Sequence, residues 1–208
     1  MGKKEVLDDI AKQVASCKFC PLYRIAINPV PGNGDAQAEL MFIGEAPGYW
    51  ENQKGIPFCG AAGKLLDELL ASIGLDRDKV FVANILKHRP PENRDPLPGE
   101  IEACKVYLDE QIKTIEPKAI VTLGRFSMGK FLPYAKITRD HGIGRTIEFN
   151  GRKIIVVPMF HPAAALRAEN VDRMLREDFK RIPLEIKRLS EVKQTVEEKR
   201  ENEQLALV

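Results

Sequence analysis

Apolar positions recur along the chain with two different periods. Over residues 4–16, Val6, Ile10 and Val14 fall at helical spacing, which predicts a short amphipathic helix. Cys17 to Asp35 is rich in Pro and Gly and reads as a loop. Leu40-Met41-Phe42-Ile43 is a continuous apolar run that stops at Gly44, the pattern of a strand buried on both faces. From Lys64 to Gly74 the spacing returns to helical, with Leu65, Leu66, Leu69, Leu70 and Ile73 on one face and Gly74 as the cap. Val80–Ala83 predicts a second strand, Glu100–Ile115 a second long helix, Ala119–Leu123 a third strand ending at Gly124, and Ile154–Val157 a fourth ending at Pro158.

Strands alternating with helices imply an α/β fold: a three-layer α/β/α sandwich around a four-stranded, mainly parallel central sheet. Residues 1–184 read as one domain. Residues 185–208 read as a charged C-terminal helix or tail, with six acids and five bases between Glu185 and Glu203 and no Gly or Pro. The chain closes on Gln204-Leu205-Ala206-Leu207-Val208, a short apolar end able to dock a partner. In open parallel sheets, ligands bind outside the carboxyl ends of the strands. Those ends carry Gly44-Glu45-Ala46-Pro47-Gly48, Asn84, Gly124 and His161, so four unusual segments are expected to meet at one rim.

Composition narrows the picture. The 208 residues, 44% hydrophobic and 30% charged, suffice for one ordinary core. No apolar run approaches the ~20 residues that span a bilayer, and the N-terminus lacks the apolar core of a signal peptide, so an intracellular, cytoplasmic protein without membrane association is expected. The net charge of +2 says little, but residues 125–181 carry twelve Lys/Arg against six acids. A local basic excess suits a polyanion, although a solvated face has the same composition.

Several residues have both a chemical and a bland explanation. Gly44–Gly48 lets backbone approach a ligand closely, or simply turns the chain. It lacks the spacing of a dinucleotide fingerprint. Phe58, held between Pro57 and Gly60, is either core or a stacking platform for a flat ring. The Asn84 amide offers a donor and an acceptor, for a base edge or for a loop. His161 precedes Pro162 at the expected start of a helix, where imidazole can serve as acid, base or oxyanion donor. Cys17-x2-Cys20, His88 and Cys104 form a second candidate set. Three thiolates and an imidazole suit zinc, whereas an iron–sulfur cluster normally takes four thiolates.

Taken together these loops resemble the family 4 uracil-DNA glycosylases, the thermostable iron–sulfur class. The resemblance runs from Cys17 to about Ile182. It rests on Cys17-x2-Cys20-Pro21-Leu22, Gly44–Gly48, Gly55-Ile56-Pro57-Phe58, Ala83-Asn84-Ile85, Arg89-Pro90-Pro91-Glu92-Asn93-Arg94 and His161-Pro162-Ala163-Ala164, in that order. The resemblance implies hydrolysis of the N-glycosidic bond of uracil in single- or double-stranded DNA, by a monomer. It implies that Phe58 stacks on the flipped base, Asn84 pairs with its polar edge, and Gly44 lies against the pocket. Glu51 would refuse the methyl group of thymine. Glu45 and the backbone of Ala46 would lie beside the sugar and the attacking water, and His161 would donate a hydrogen bond to the leaving uracil. Leu166 would wedge into the duplex and Arg167 would bind phosphate.

The resemblance also implies a 4Fe-4S cluster on Cys17, Cys20, residue 88 and Cys104, and leaves open a sliding clamp as a partner of the C-terminal tail. The family carries Cys where this chain has His88, so the thiolate set is incomplete. A cluster with one imidazole ligand, a cluster short of an iron, and an engineered replacement all remain open. The cluster is expected to be structural, pinning the N-terminal loop and the Arg89–Arg94 loop. Two other functions remain open on the residues alone: a non-catalytic binder of deaminated bases in DNA, and an iron–sulfur redox protein.

Overall fold

The computed structural model describes residues 1–205, with side chains to Glu191. In chain order the elements are α1 (Lys3–Ala15), β1 (Asn33–Gly34), β2 (Leu40–Gly44), α2 (Tyr49–Lys54), α3 (Ala61–Ala71), β3 (Phe81–Asn84), α4 (Pro98–Ile115), β4 (Ala119–Leu123), α5 (Arg125–Phe131), α6 (Ile137–Asp140), β5 (Arg145–Phe149), β6 (Arg152–Met159), α7 (Pro162–Ala165) and α8 (Glu169–Leu205). The sheet runs β1-β3-β2-β4-β6-β5. Its inner four strands are parallel, and β1 and β5 join antiparallel at the two edges.

The sheet is therefore mixed and six-stranded, not four-stranded. The inner strands coincide with the four apolar runs. The two edge strands escaped because they bury little: β1 is an Asn-Gly pair, exposed at both residues, and β5 is largely exposed and carries Arg145 and Glu148. Short, charged edges are how sheets avoid pairing with other chains, and they leave no apolar signature to read.

The inner strands show the period of two. Met41 and Ile43 of β2 face one apolar cluster, shared with Leu108 and Ile112 of α4 and Met128 and Phe131 of α5. Phe42 faces the other, shared with Leu66 and Leu70 of α3 and Leu175 and Phe179 of α8. β4 and β6 divide in the same way, Ile120 and Val156 to the first cluster and Val121 and Val157 to the second. The outcome is helices on both faces of one sheet. α1 lies outside α4, where Ile10, Val14, Cys17 and Tyr107 form a small cluster of their own.

α8 begins after the short 166–168 link from α7 and continues through Pro183, so the 184/185 boundary falls inside a helix. Beyond it, Ile186 and Leu189 still pack on the second cluster, and Glu185 accepts the Gly144 N–H at 3.0 Å. The side chains of the apolar end, Gln204–Val208, and with them the candidate clamp-docking tail, lie outside the described residues. No helix among the described residues is long and apolar enough to cross a membrane.

Phe179 is the anchor between α8 and the sheet. It is fully buried and stacks on Phe42 of β2, ring centroids 5.9 Å apart. Phe179→Ala is expected to cost about 3–5 kcal/mol, measured as a lowered midpoint of denaturant unfolding with little change in slope.

Candidate active site

The carboxyl ends of β2, β3 and β6 open on a cavity of about 360 Å³ lined by Glu45, Ala46, Glu51, Phe58, Asn84, His161 and Arg167, among others. β2 delivers Gly44 and Glu45, β3 ends on Asn84, and β6 runs into Phe160 and His161. Phe58 comes from the loop between α2 and α3, at φ +51°, a region that side-chain-bearing residues seldom occupy. Its ring lies nearly parallel to that of His161, centroids 5.5 Å apart. Gly44 makes the arrangement possible: a Cβ there would stand 2.7 Å from Phe58 Cζ and closer still to Asn84 Oδ1.

Asn84 is buried, and its Oδ1 has no hydrogen-bond partner. Such a buried acceptor costs of order 1–3 kcal/mol unless something fills it. The backbone below it is firmly held. Lys87, wholly buried, donates from Nζ to the Asn84 carbonyl (3.0 Å) and to Gln111 Oε1 (2.8 Å), and Gln111 donates in turn to the Pro31 carbonyl (2.7 Å). Burial pulls the Lys87 ammonium down to about 7.

His161 caps α7. Its Nδ1 accepts the Ala163 N–H at 3.0 Å, and since a backbone amide can only donate there, the ring proton of the neutral imidazole resides on Nε2. Burial, with Arg167 adding repulsion, lowers His161 to about 4. Glu45 Oε1 accepts the Phe126 N–H at the start of α5 (3.0 Å). Burial raises the Glu45 carboxyl, and the Phe126 hydrogen bond partly opposes that. Glu51 lies in the first turn of α2, after the N-cap Gly48. On the opposite wall, Arg94 forms a two-pronged pair with Glu100 of α4 (2.9 and 2.6 Å), which fixes the 90–96 loop. Leu166 is not in the cavity. It stands exposed in a neighbouring groove with Lys64 and Arg176, which Arg167 joins to the cavity.

The sequence profile of the Uracil DNA glycosylase superfamily matches residues 31–184. A Type-4 uracil-DNA glycosylase of Sulfurisphaera tokodaii is 49% identical over 184 residues, 85% of this chain and 83% of its own length. Another, of Archaeoglobus fulgidus, is 46% identical over 86% of this chain and 92% of its own. A third, of Thermotoga maritima, is 37% identical over 89% and 97%. The chain belongs to the uracil DNA glycosylase superfamily, among its type-4 members.

The second candidate set of this type-4 chain lies away from the cavity. Cys17, Cys20, Cys104 and His88 are all buried. Burial raises the Cys20 thiol, with the neighbouring Glu100 and Cys17 adding to it, and Cys20 and Cys17 act in the same direction on Cys104. Burial pushes Cys104 up to about 11. His88 Nδ1 is buried without a partner. Among the described residues no three His, Cys, Asp or Glu side chains are spaced to hold a single metal ion. The donors, three neighbouring thiols and an orphaned imidazole nitrogen, nevertheless match in kind what a thiolate-held group requires. Cys59 lies apart, beside Trp50 and Lys54.

Lys87, Gln111 and the Phe126 N–H were not anticipated. A lysine closing the apolar run Ile85-Leu86 was a readable signal for the first; Gln111 looks like any polar helix residue, and a backbone amide leaves no mark in a sequence.

The His161 shift sets a direction. An unfolded histidine titrates near 6.5, whereas the folded His161 resists protonation until about 4. Between those values the unfolded chain binds a proton that the folded one refuses, so this residue lowers stability as pH falls through that window. The stability difference between pH 7 and pH 4.5, from urea unfolding, should shrink in His161→Gln.

Proposed function

We propose that this chain removes uracil from DNA by hydrolysing its N-glycosidic bond, leaving an abasic site in base excision repair. The observation that carries the reading is the buried, unpartnered Oδ1 of Asn84 near the Phe58 ring, in the lining of a cavity with room for a flipped nucleotide. Uracil carries an N3–H that this oxygen would accept. Cytosine has no hydrogen at N3 and would leave the acceptor unpaired, so the same atom that binds one base rejects the other.

A base inside a duplex is out of reach, so the nucleotide is extruded at a cost of a few kcal/mol. Phe58 then stacks on the flat ring, held in place against the bare backbone of Gly44. Glu51 closes the side beside C5, where thymine carries its methyl group. As the C1′–N1 bond breaks, its electron pair moves into uracil, and the Nε2–H of neutral His161 donates to the oxygen on which charge accumulates. Water, held by the buried carboxyl group of Glu45 and the backbone of Ala46, adds its oxygen to C1′ and gives up a proton, which Glu45 accepts and which finally neutralises the departed uracil anion. Leu166 enters the vacated stack and Arg167 meets a phosphate. The chain acts as a monomer, on uracil in single- or double-stranded DNA.

Cys17, Cys20, His88 and Cys104 are the residues that would hold a 4Fe-4S group, with His88 as a non-thiolate ligand. When bound, the group supplies a cross-link between the N-terminal loop and the loop that begins at His88, and no chemistry on the base.

The test is an oligonucleotide with one uracil, treated with alkali after incubation. A cut at uracil, absent with thymine or cytosine, is expected, and His161→Ala should slow it about 10²–10³-fold, as loss of an oxyanion donor does elsewhere. An uncut uracil strand that is nonetheless bound would replace the enzyme with a binder of deaminated bases. For the second set, iron and sulfide analysis of the purified protein should be positive. Cys104→Ser should lose both, with a lowered Tm; absence of iron from the parent chain would reject the cluster.

A further inference from the structure

Two large aromatic side chains, each about half exposed, sit beside the cavity on the first turn of α2. Tyr49 and Trp50 open α2 and are 51% and 56% exposed. They lie between Gly48 and Glu51, both of which line the cavity. Their rings meet edge to face, centroids 5.2 Å apart. The Arg89 guanidinium sits over the Tyr49 ring at 5.5 Å. Trp50 rests beside Gly60, where a Cβ would stand 3.3 Å from Cδ1, and it lines a cleft with Lys54, Cys59 and Lys64. Neither lysine is ion-paired among the described residues. Lys64 also borders the groove that holds Leu166 and Arg167, so cleft and groove are continuous around the cavity mouth.

We propose that Tyr49 and Trp50 form a second base platform, which receives an unpaired base of the strand that carries the extruded uracil. The inference rests on the glycosylase reading and deepens it. Apolar rings left half in water have an unspent face. Stacking of a base on such a face is tolerant of sequence, because every base has a π surface, and cations alongside it track the phosphates. Lys54 and Lys64 supply that charge for Trp50, and Arg89 stiffens Tyr49 by cation–π contact. A base locked in a duplex cannot reach the platform, so the device favours single-stranded or frayed DNA around the lesion.

Trp50 is the only tryptophan of the chain, so its fluorescence reports the platform alone. The full-length protein is titrated with a uracil-free single-stranded oligonucleotide, and with a base-free deoxyribose-phosphate chain of equal length. Excision from single-stranded uracil DNA is measured in parallel. Saturable quenching by the first and none by the second is expected. Trp50→Ala should raise KM for single-stranded substrate about tenfold, the order of one lost stacked base, with a smaller change in kcat. Trp50→Phe should recover most of that loss. Unchanged emission at saturation, equal quenching by the base-free chain, or an unaltered KM in Trp50→Ala would overturn the proposal while normal excision left the enzyme reading standing. Base-dependent quenching without any excision would do the reverse: the platform would stand and the enzyme reading would fall.

Discussion

Phe58 lies against the bare backbone of Gly44, with the Asn84 amide in the same space, and the cavity depends on that approach. The end of β2 must carry no side chain, the end of β3 must carry an amide, and the α2–α3 loop must hold a phenyl ring at a backbone angle it would not choose. Each condition is met by an element anchored in the core, β2 and β3 by parallel pairing in register from Met41–Phe81 to Gly44–Asn84. The strain at Phe58 is held because the surrounding structure determines it. An opening bounded by one ring and a bare strand end needs this rigidity more than it needs any particular charge.

The electrostatics follow the same economy. Three ionisable groups near the cavity are displaced by burial: Lys87 downward, His161 downward and Glu45 upward. In each case burial works against the charged form, and hydrogen bonds then decide what the group can do. The Ala163 N–H fixes the tautomer of His161 and the Phe126 N–H orients Glu45. Neutral donor and buried acceptor are the natural equipment for a reaction in which charge appears on the departing base, and not on the protein.

The interior of the fold was readable in the sequence because burial on both faces writes itself as unbroken apolar runs, at Leu40–Ile43, Ala119–Leu123 and Ile154–Val157. The edge strands β1 and β5 were not, since an exposed edge has the composition of a loop. The gathering of Glu45, Asn84 and His161 around one cavity was equally readable, because parallel strands bring their carboxyl ends to one side. Phe58 was reachable only through its Pro and Gly neighbours. Lys87 and Gln111 were hidden for a different reason: their role exists only in the folded chain, where a charged residue is worth burying for two carbonyl-type oxygens it can reach. His88 and the three cysteines could be grouped by residue type, while their orientation could not.

The line from Asn84 through Lys87 and Gln111 to Pro31 joins segments that are far apart in sequence, the last link spanning 80 residues. Loops of that length close late, because their entropy is lost before the contact is gained. The floor of the cavity is therefore assembled only after β3, α4 and the N-terminal loop have met. The β2–β4 pairing of Leu40 with Ala119 closes a loop of nearly the same length, so the sheet and the floor of its cavity form under one entropic constraint, and no short segment of the chain can make the cavity by itself.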